Sequence, residues 1–131
     1  MCKFAIDLRQ YLKILLFVLF SNILVIMIEN RLINDIVNKI ANRFNPDKII
    51  LFGSYASGNQ NEDSDVDLLI IKESCEPIQS RDFEIRKYLL GTAIPLDIIV
   101  YTNAEFEEEK NNRYSLISNT LKTSKLLYER K

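Results

Sequence analysis

Histidine is missing from this chain altogether. Its absence removes Ser-His-Asp and Cys-His catalysis, zinc sites that use histidine, and any nuclease that relies on an imidazole acid or base. What chemistry remains must run on carboxylates, hydroxyls, lysine, arginine or bound metal ions. Cysteine is nearly missing. Cys2 and Cys75 are far apart and fit no metal or redox spacing, so a reduced, cytoplasmic compartment is expected. An excess of charge of one sign is missing too. Seventeen basic residues stand against eighteen acidic ones, a net charge of −1, which leaves no electrostatic footprint for wrapping nucleic acid. Long DNA or RNA is therefore a poor candidate substrate, whereas a single nucleotide remains open. There is no repeat and no low-complexity tract. What is present, 131 residues with 47% hydrophobic and 27% charged, is the composition of one ordinary soluble globular domain.

The N-terminal segment stands apart. Residues 14–28 read ILLFVLFSNILVIMI, apolar except for Ser21 and Asn22. A bilayer-spanning helix needs about 20 mostly apolar residues, and extending this run to Tyr11 and Leu12 brings in Lys13. Lys3 and Arg9 supply the basic start of a signal peptide, but no small-residue cleavage site follows. Three readings follow. The segment is a membrane anchor, or an extra helix covering an apolar surface on this protein or a partner, or sequence upstream of the working domain with Met27 as the functional start. The third is favoured, because from Met27 the chain reads MIENRLINDIVNKIANRF and runs without interruption into a complete domain. The expected organisation is an apolar helical extension over residues 1–26 and a working domain over residues 27–131, with no membrane partner.

Within that domain, Leu32, Ile33, Ile36, Val37, Ile40, Ala41 and Phe44 recur at steps of three and four, the stripe of an amphipathic helix. Asn45-Pro46-Asp47 ends it. Lys48 to Phe52 (KIILF) and Val66 to Ile71 (VDLLII) read as buried strands separated by a polar, turn-rich stretch. Residues 79–90 predict a helix, and Leu96 to Tyr101 (LDIIVY) a third strand. Asn103 is placed to cap a short helix reaching Lys110. A last helix is expected from about Ser115 to Tyr128. Strands alternating with helices indicate an α/β (α+β) domain, a small sheet flanked by helices.

Three features carry chemistry. Gly53-Ser54 follows the first strand directly and precedes a helix start at Tyr55-Ala56. Glycine lets backbone approach a ligand, and helix-start N–H groups favour an anion, so with the Ser54 hydroxyl this is a phosphate cradle. Taken alone, such a pair is usually only a turn. Asp65 and Asp67 lie two apart at the mouth of the second strand, so they project together while Val66 and Leu68 face the core. Like charges this close disfavour joint ionisation, and a divalent cation would relieve the repulsion; Mg²⁺ suits oxygen ligands. The blander alternative is a solvated acidic turn with Glu62 and Asp63. Asp97 is an acid in an otherwise apolar strand, where burial is expected and a partner is needed. It is either a salt-bridge partner of Arg86 or Lys87, or a third metal ligand beside Asp65 and Asp67.

Topology joins the three. Gly53 ends the first strand and Asp65 begins the second, so they are neighbours if those strands are antiparallel. Asp97 joins them if the third strand runs parallel to the second. The expected sheet is therefore mixed, with a phosphate cradle and three carboxylates at one edge. That equipment suits metal-assisted attack on a nucleoside triphosphate, with one carboxylate, Asp97, taking the proton of an incoming hydroxyl.

The spacing Gly53-Ser54, ten residues, Asp65-x-Asp67, with Asp97 in a later strand, resembles the nucleotidyltransferase superfamily of DNA polymerase beta. The stretch FGSYASGNQNEDSDVDLLI is most similar to its small prokaryotic branch, the minimal nucleotidyltransferases, and the resemblance covers about residues 27–131. It implies a palm-like fold and a nucleotidyltransferase domain. It also implies that Asp65 and Asp67 ligate Mg²⁺, two ions in all, that Asp97 completes the metal site and serves as base, and that Gly53 and Ser54 hold the triphosphate of ATP. Members of this size are commonly antitoxins encoded beside a HEPN-domain RNase toxin, and some transfer AMP from ATP to a toxin tyrosine. The resemblance thus implies a hetero-oligomer with such a toxin. One departure is Ser57, where many relatives carry arginine in a G-S-Y-A-R-G run; loss of that cation bears on triphosphate binding.

Rival functions are an antitoxin that masks its toxin without chemistry, and nucleotidyl transfer to a small molecule such as an aminoglycoside. The latter is disfavoured by the lack of room for a second substrate-holding domain. A toxin role conflicts with the missing histidine. Arg81, Arg86 and Lys87 read as a solvated helix face, Tyr55 as a packing residue, and residues 105–109 as an acidic surface.

Overall fold

The structure is a computed structural model and describes residues 7–131. Part of the expected N-terminal extension, Cys2 and Lys3 included, lies outside the described residues. Helix α1 (Leu8–Phe44) is followed by strand β1 (Lys48–Phe52), helix α2 (Gly53–Ser57), strand β2 (Val66–Ile71), helix α3 (Phe83–Tyr88) and strand β3 (Leu96–Tyr101). Helix α4 (Asn103–Asn111), helix α5 (Leu116–Thr120), a 3-10 turn (Leu121–Thr123) and strand β4 (Lys125–Glu129) complete the order. The chain divides into two units on either side of the Ile33–Asn34 step. In the first unit, helix residues from Leu8 to Ile28 are exposed apart from the half-buried Ser21.

The second unit is a four-stranded sheet in the order β3-β2-β1-β4. β1 runs antiparallel to β2, and β2 parallel to β3, so the sheet is mixed as expected. Strand alternation sorts its side chains into two faces. Ile50, Leu69 and Ile71 pack with Phe52, Ile99 and Tyr101 against Phe106 of α4, Ile117 of α5 and Leu121. The other face, Ile49, Leu51, Val66, Leu68, Ile70, Ile98 and Val100, is also buried, as are Ile36, Val37 and Ile40 of α1 and Ile85 and Leu89 of α3. Phe44 and Tyr88 meet edge to face at 5.6 Å, tying the end of α1 to α3. Helices on both faces explain why β1 and β2 are continuous apolar runs rather than alternating ones.

Three local expectations are corrected. The final helix expected to Tyr128 stops at Thr120, and Lys125–Glu129 is instead an edge strand paired antiparallel with β1, with a register shift between Ile49 and Ile50. Pairing with an open sheet edge outweighs the helical spacing of Leu121 and Leu127. Helix α4 begins where expected, but Thr102 caps it: Thr102 accepts from the Glu105 N–H and Glu105 accepts from the Thr102 N–H, a capping box. Helix α3 is shorter than residues 79–90.

Candidate active site

The site is built where four backbone segments converge at one end of the sheet. In the β1–β2 ladder Phe52 lies opposite Asp67, and in the β2–β3 ladder Asp67 lies opposite Asp97. Residues opposite one another share a face, so Asp67 and Asp97 sit side by side at the end of the face that carries Leu69 and Ile99. Gly53 follows Phe52 immediately and adopts φ +71°, in the left-handed region that glycine enters without cost. A Cβ built on Gly53 would lie 2.1 Å from Oδ2 of Asp67. The Asp67 carboxylate therefore rests directly against the Gly53 backbone, and the glycine is needed for that approach as well as for the turn.

The loop between α2 and β2 delivers Asp65. Asn61 Oδ1 accepts from the Asp63 N–H at 2.9 Å and from the Ser64 hydroxyl at 3.2 Å, while Ser64 Oγ accepts from the Asn61 N–H at 2.9 Å. This closed turn leads into Asp65, which is exposed, and then into half-buried Asp67. Burial first, and then the negative charges of Asp97 and Asp65, push the Asp67 carboxyl above its ordinary range. Asp65, Asp67 and Asp97 thus form one electrostatic cluster, as the spacing predicts.

Asp97 differs from expectation in one respect. Its side chain is 56% exposed rather than buried. β3 is an edge strand, so its first residues are covered on one side only. Arg86 of α3 closes that open edge. Its guanidinium donates to the Leu96 carbonyl at 3.0 Å, to the Ile98 carbonyl at 3.1 Å and to Oδ1 of Asp97 at 3.0 Å, and it also bonds Asp82. Both carbonyls belong to the side of β3 that faces away from β2. The hydrogen bond to Asp82 and, more weakly, that to Asp97 hold Arg86 firmly protonated. This ion pair is one of the two options the sequence leaves for Asp97, whereas the helical spacing alone puts Arg86 on a solvated face. Its capping of the strand edge carries no local sequence signal.

The cradle residues fall where the spacing puts them. Gly53–Ser57 is a single helical turn, with no side chain capping its start and Gly58 closing its end at φ +79°. The Ser54 carbonyl accepts from the Gly58 and Asn59 N–H groups, which fixes the turn. Ser57 folds back to donate to the Ser54 carbonyl at 3.3 Å. Among the described residues no three ligating side chains converge on a single ion-sized point. The donor chemistry is nonetheless of the kind a hard divalent cation takes: Asp67 and Asp97 are opposite one another in register, Asp65 is near enough to act on the Asp67 charge, and among the described residues no histidine or cysteine stands with them.

A cleft of about 490 Å³ lies elsewhere, at the far end of β2 and β3, lined by Lys72, Glu73, Arg81, Ile85 and Val100 among others. Its arginine is already engaged. Arg81 donates to both carboxylate oxygens of Glu105, at 2.6 and 3.1 Å, and that pairing, with the Thr102 N–H, draws the Glu105 carboxyl down to about 2. This is a structural clasp between the segment after β2 and α4.

Comparison with known proteins bears on the same region. The family described as the nucleotidyltransferase domain matches residues 33–127. A protein of Methanocaldococcus jannaschii named "putative protein adenylyltransferase" is 32% identical over 109 residues, covering 78% of this chain and all of that protein. A second protein of that organism with the same descriptive name is 38% identical over 58 residues, covering 42% of this chain and 59% of that protein. A crystal structure described as a "putative nucleotidyltransferase" from Sulfolobus solfataricus superposes with a TM-score of 0.54 at 22% identity, over 76% of this chain and 79% of that one. This last likeness concerns the fold.

Proposed function

We propose, from the premise that the chain belongs to the nucleotidyltransferase domain family, that it moves AMP from ATP to a tyrosine hydroxyl of a partner protein. The observation that carries this is the Asp67 carboxylate seated against Gly53, with Asp97 beside it in register. A carboxylate pair beside a sharp strand-to-helix turn suits a triphosphate that carries divalent cations with it. The names of the two Methanocaldococcus relatives support a protein as the acceptor.

In this reading Asp65, Asp67 and Asp97 would hold Mg²⁺, which when bound would supply positive charge against the phosphates. The Gly53–Ser54 turn lies alongside, so backbone N–H groups and the Ser54 hydroxyl meet the triphosphate. The acceptor oxygen bonds to the α-phosphorus, the bond from that phosphorus to the β-phosphate bridge breaks, and pyrophosphate leaves. Asp97, exposed at the rim, takes the hydroxyl proton. The partner is a HEPN-domain RNase toxin, for which this chain, with its catalytic domain on the cytoplasmic side, serves as antitoxin in a hetero-oligomer; the motif resemblance supports that assignment.

Incubating the two proteins with ATP and Mg²⁺ and recording the intact mass of the partner tests the reading. A gain of one AMP unit or a few is expected, and the Asp65→Asn, Asp67→Asn double variant is expected to give none. A double variant that neutralises the toxin as well as wild type, with no mass change in either case, refutes the chemistry and leaves masking by binding.

A further inference from the structure

Helix α1 consists of two stretches of opposite character. From Asn34 to Phe44 it is amphipathic: Ile36, Val37 and Ile40 are buried while Asp35, Asn38 and Lys39 are exposed. Across residues 8–28 there is no such stripe. Ile14, Leu15, Leu16, Phe17, Val18, Leu19 and Phe20 follow one another without a break, and Ile23 to Ile28 do the same. Successive residues on a helix are rotated by about 100°, so either run covers the whole circumference. Every one of these side chains is exposed, from 42% for Leu15 to 72% for Phe17.

We infer that residues 8–28 insert into a lipid bilayer. A protein partner offers a groove, and a groove needs one apolar stripe on the helix that fills it. Apolar side chains on all sides call for an apolar solvent on all sides, and hydrocarbon is that solvent. Length agrees. The strictly apolar run of residues 14–28 spans only about 22 Å, but the helix is continuous back to Leu8, and residues 8–28 span about 31 Å against a hydrocarbon core of about 30 Å. The charges sit at the margins. Arg9 and Lys13 are the only charged residues in that stretch, both within its first two turns, where long side chains reach the headgroups. Tyr11 lies among them, at the depth aromatic hydroxyls favour. Glu29 and Arg31 close the other end. Ser21 and Asn22 in the middle are uncharged, and the helix already satisfies its own backbone there. The inference is independent of the catalytic reading.

Flotation of the full-length chain with phosphatidylcholine–phosphatidylglycerol vesicles tests it. Wild type is expected to rise with the vesicles and to resist extraction by alkaline carbonate. Leu19→Arg places a charge at mid-span and is expected to lower partition on the order of a hundred-fold. Asn38→Arg, on the exposed side of the amphipathic stretch, is expected to float like wild type. Three results would overturn the inference. One is a wild-type chain that stays with the soluble protein, as a monomer or as an oligomer of copies covering one another. Another is Leu19→Arg floating as well as wild type. The last is N-terminal sequencing of the protein made in its own cell that begins at or beyond Met27.

Discussion

Gly53→Ala is the substitution whose consequences the geometry fixes best. Two costs separate cleanly. The first is backbone strain: at φ +71° an L-residue sits in the left-handed region, at a cost of about 1–2 kcal/mol. The second is collision. The new methyl would lie 2.1 Å from Asp67 Oδ2 and 3.1 Å from Asp67 Cγ, so the carboxylate must retreat by about 0.9 Å to reach even a 3.0 Å contact. Displacement of a reacting group by about 1 Å costs on the order of a hundred-fold in rate. The expected phenotype is therefore a folded protein, less stable by about 1–2 kcal/mol, whose transfer rate falls a hundred-fold or more. Gly58→Ala is the control. Gly58 has φ +79° and nothing within 4 Å of its built Cβ, so it suffers the same strain without the collision. Thermal unfolding reads the first cost and the rate of AMP incorporation reads the second. If Gly53→Ala and Gly58→Ala lose stability and activity in the same proportion, the seating of Asp67 on Gly53 has no catalytic meaning and the site must be redrawn.

Other expectations follow from the neighbouring geometry. Removing the guanidinium in Arg86→Gln uncaps the outer edge of β3 and frees Asp97, and a tenfold loss of Mn²⁺ affinity by titration is expected, with Arg86→Lys restoring only part of it because an ammonium cannot span the same acceptors; unchanged affinity would refute the positioning role. Asp67→Asn should raise the melting temperature at neutral pH. The folded-state pKa of Asp67 lies above its unfolded value of 3.8, so its stabilisation is complete below pH 3.8 and is lost as pH rises through the folded value; the advantage of the variant should vanish on acidification. Glu105 is the opposite case. Its pKa falls from 4.5 to about 2, so the Arg81 clasp contributes fully above pH 4.5 and is lost as pH falls through about 2. Arg81→Met should cost about 1–2 kcal/mol at pH 7, discounted for the partial exposure of Glu105, and much less at pH 2 by chemical denaturation.

Most of the site was legible because its logic is local. Gly53 had to end a strand, and Asp65-x-Asp67 had to begin one. The apolar runs KIILF and VDLLII set both positions without reference to the rest of the chain. One further assumption, an antiparallel β1–β2 pair followed by a parallel β3, brought Asp97 alongside, and the ladders Phe52–Asp67 and Asp67–Asp97 have that arrangement. The capping of α4 was misplaced by one residue, within the uncertainty that helix ends always carry.

The two larger misreadings share a physical cause. Apolar sequence neighbours predict a buried Asp97, and the apolar residues Leu116, Ile117, Leu121 and Leu127 predict a helix that runs on through most of KLLYE. Both segments are edge strands. Whether a strand is central or at an edge is decided by the other strands, not by its own residues: β3 carries the apolar run IIVY of a central strand and yet lies at an edge. In β4, Lys125, Leu126 and Glu129 are exposed and only Leu127 and Tyr128 are half-buried. That error does not touch the chemistry, because β4 adds to the sheet beside β1, away from β2 and β3. The error on Asp97 does touch it. A buried Asp97 would be committed to its salt bridge at the cost of stranding a charge, whereas an ion pair with both partners about half exposed is worth at most about 1 kcal/mol. An acid held that weakly at an open rim is reachable by an incoming hydroxyl, so the exposure that sequence reasoning missed is what the proposed role of Asp97 requires.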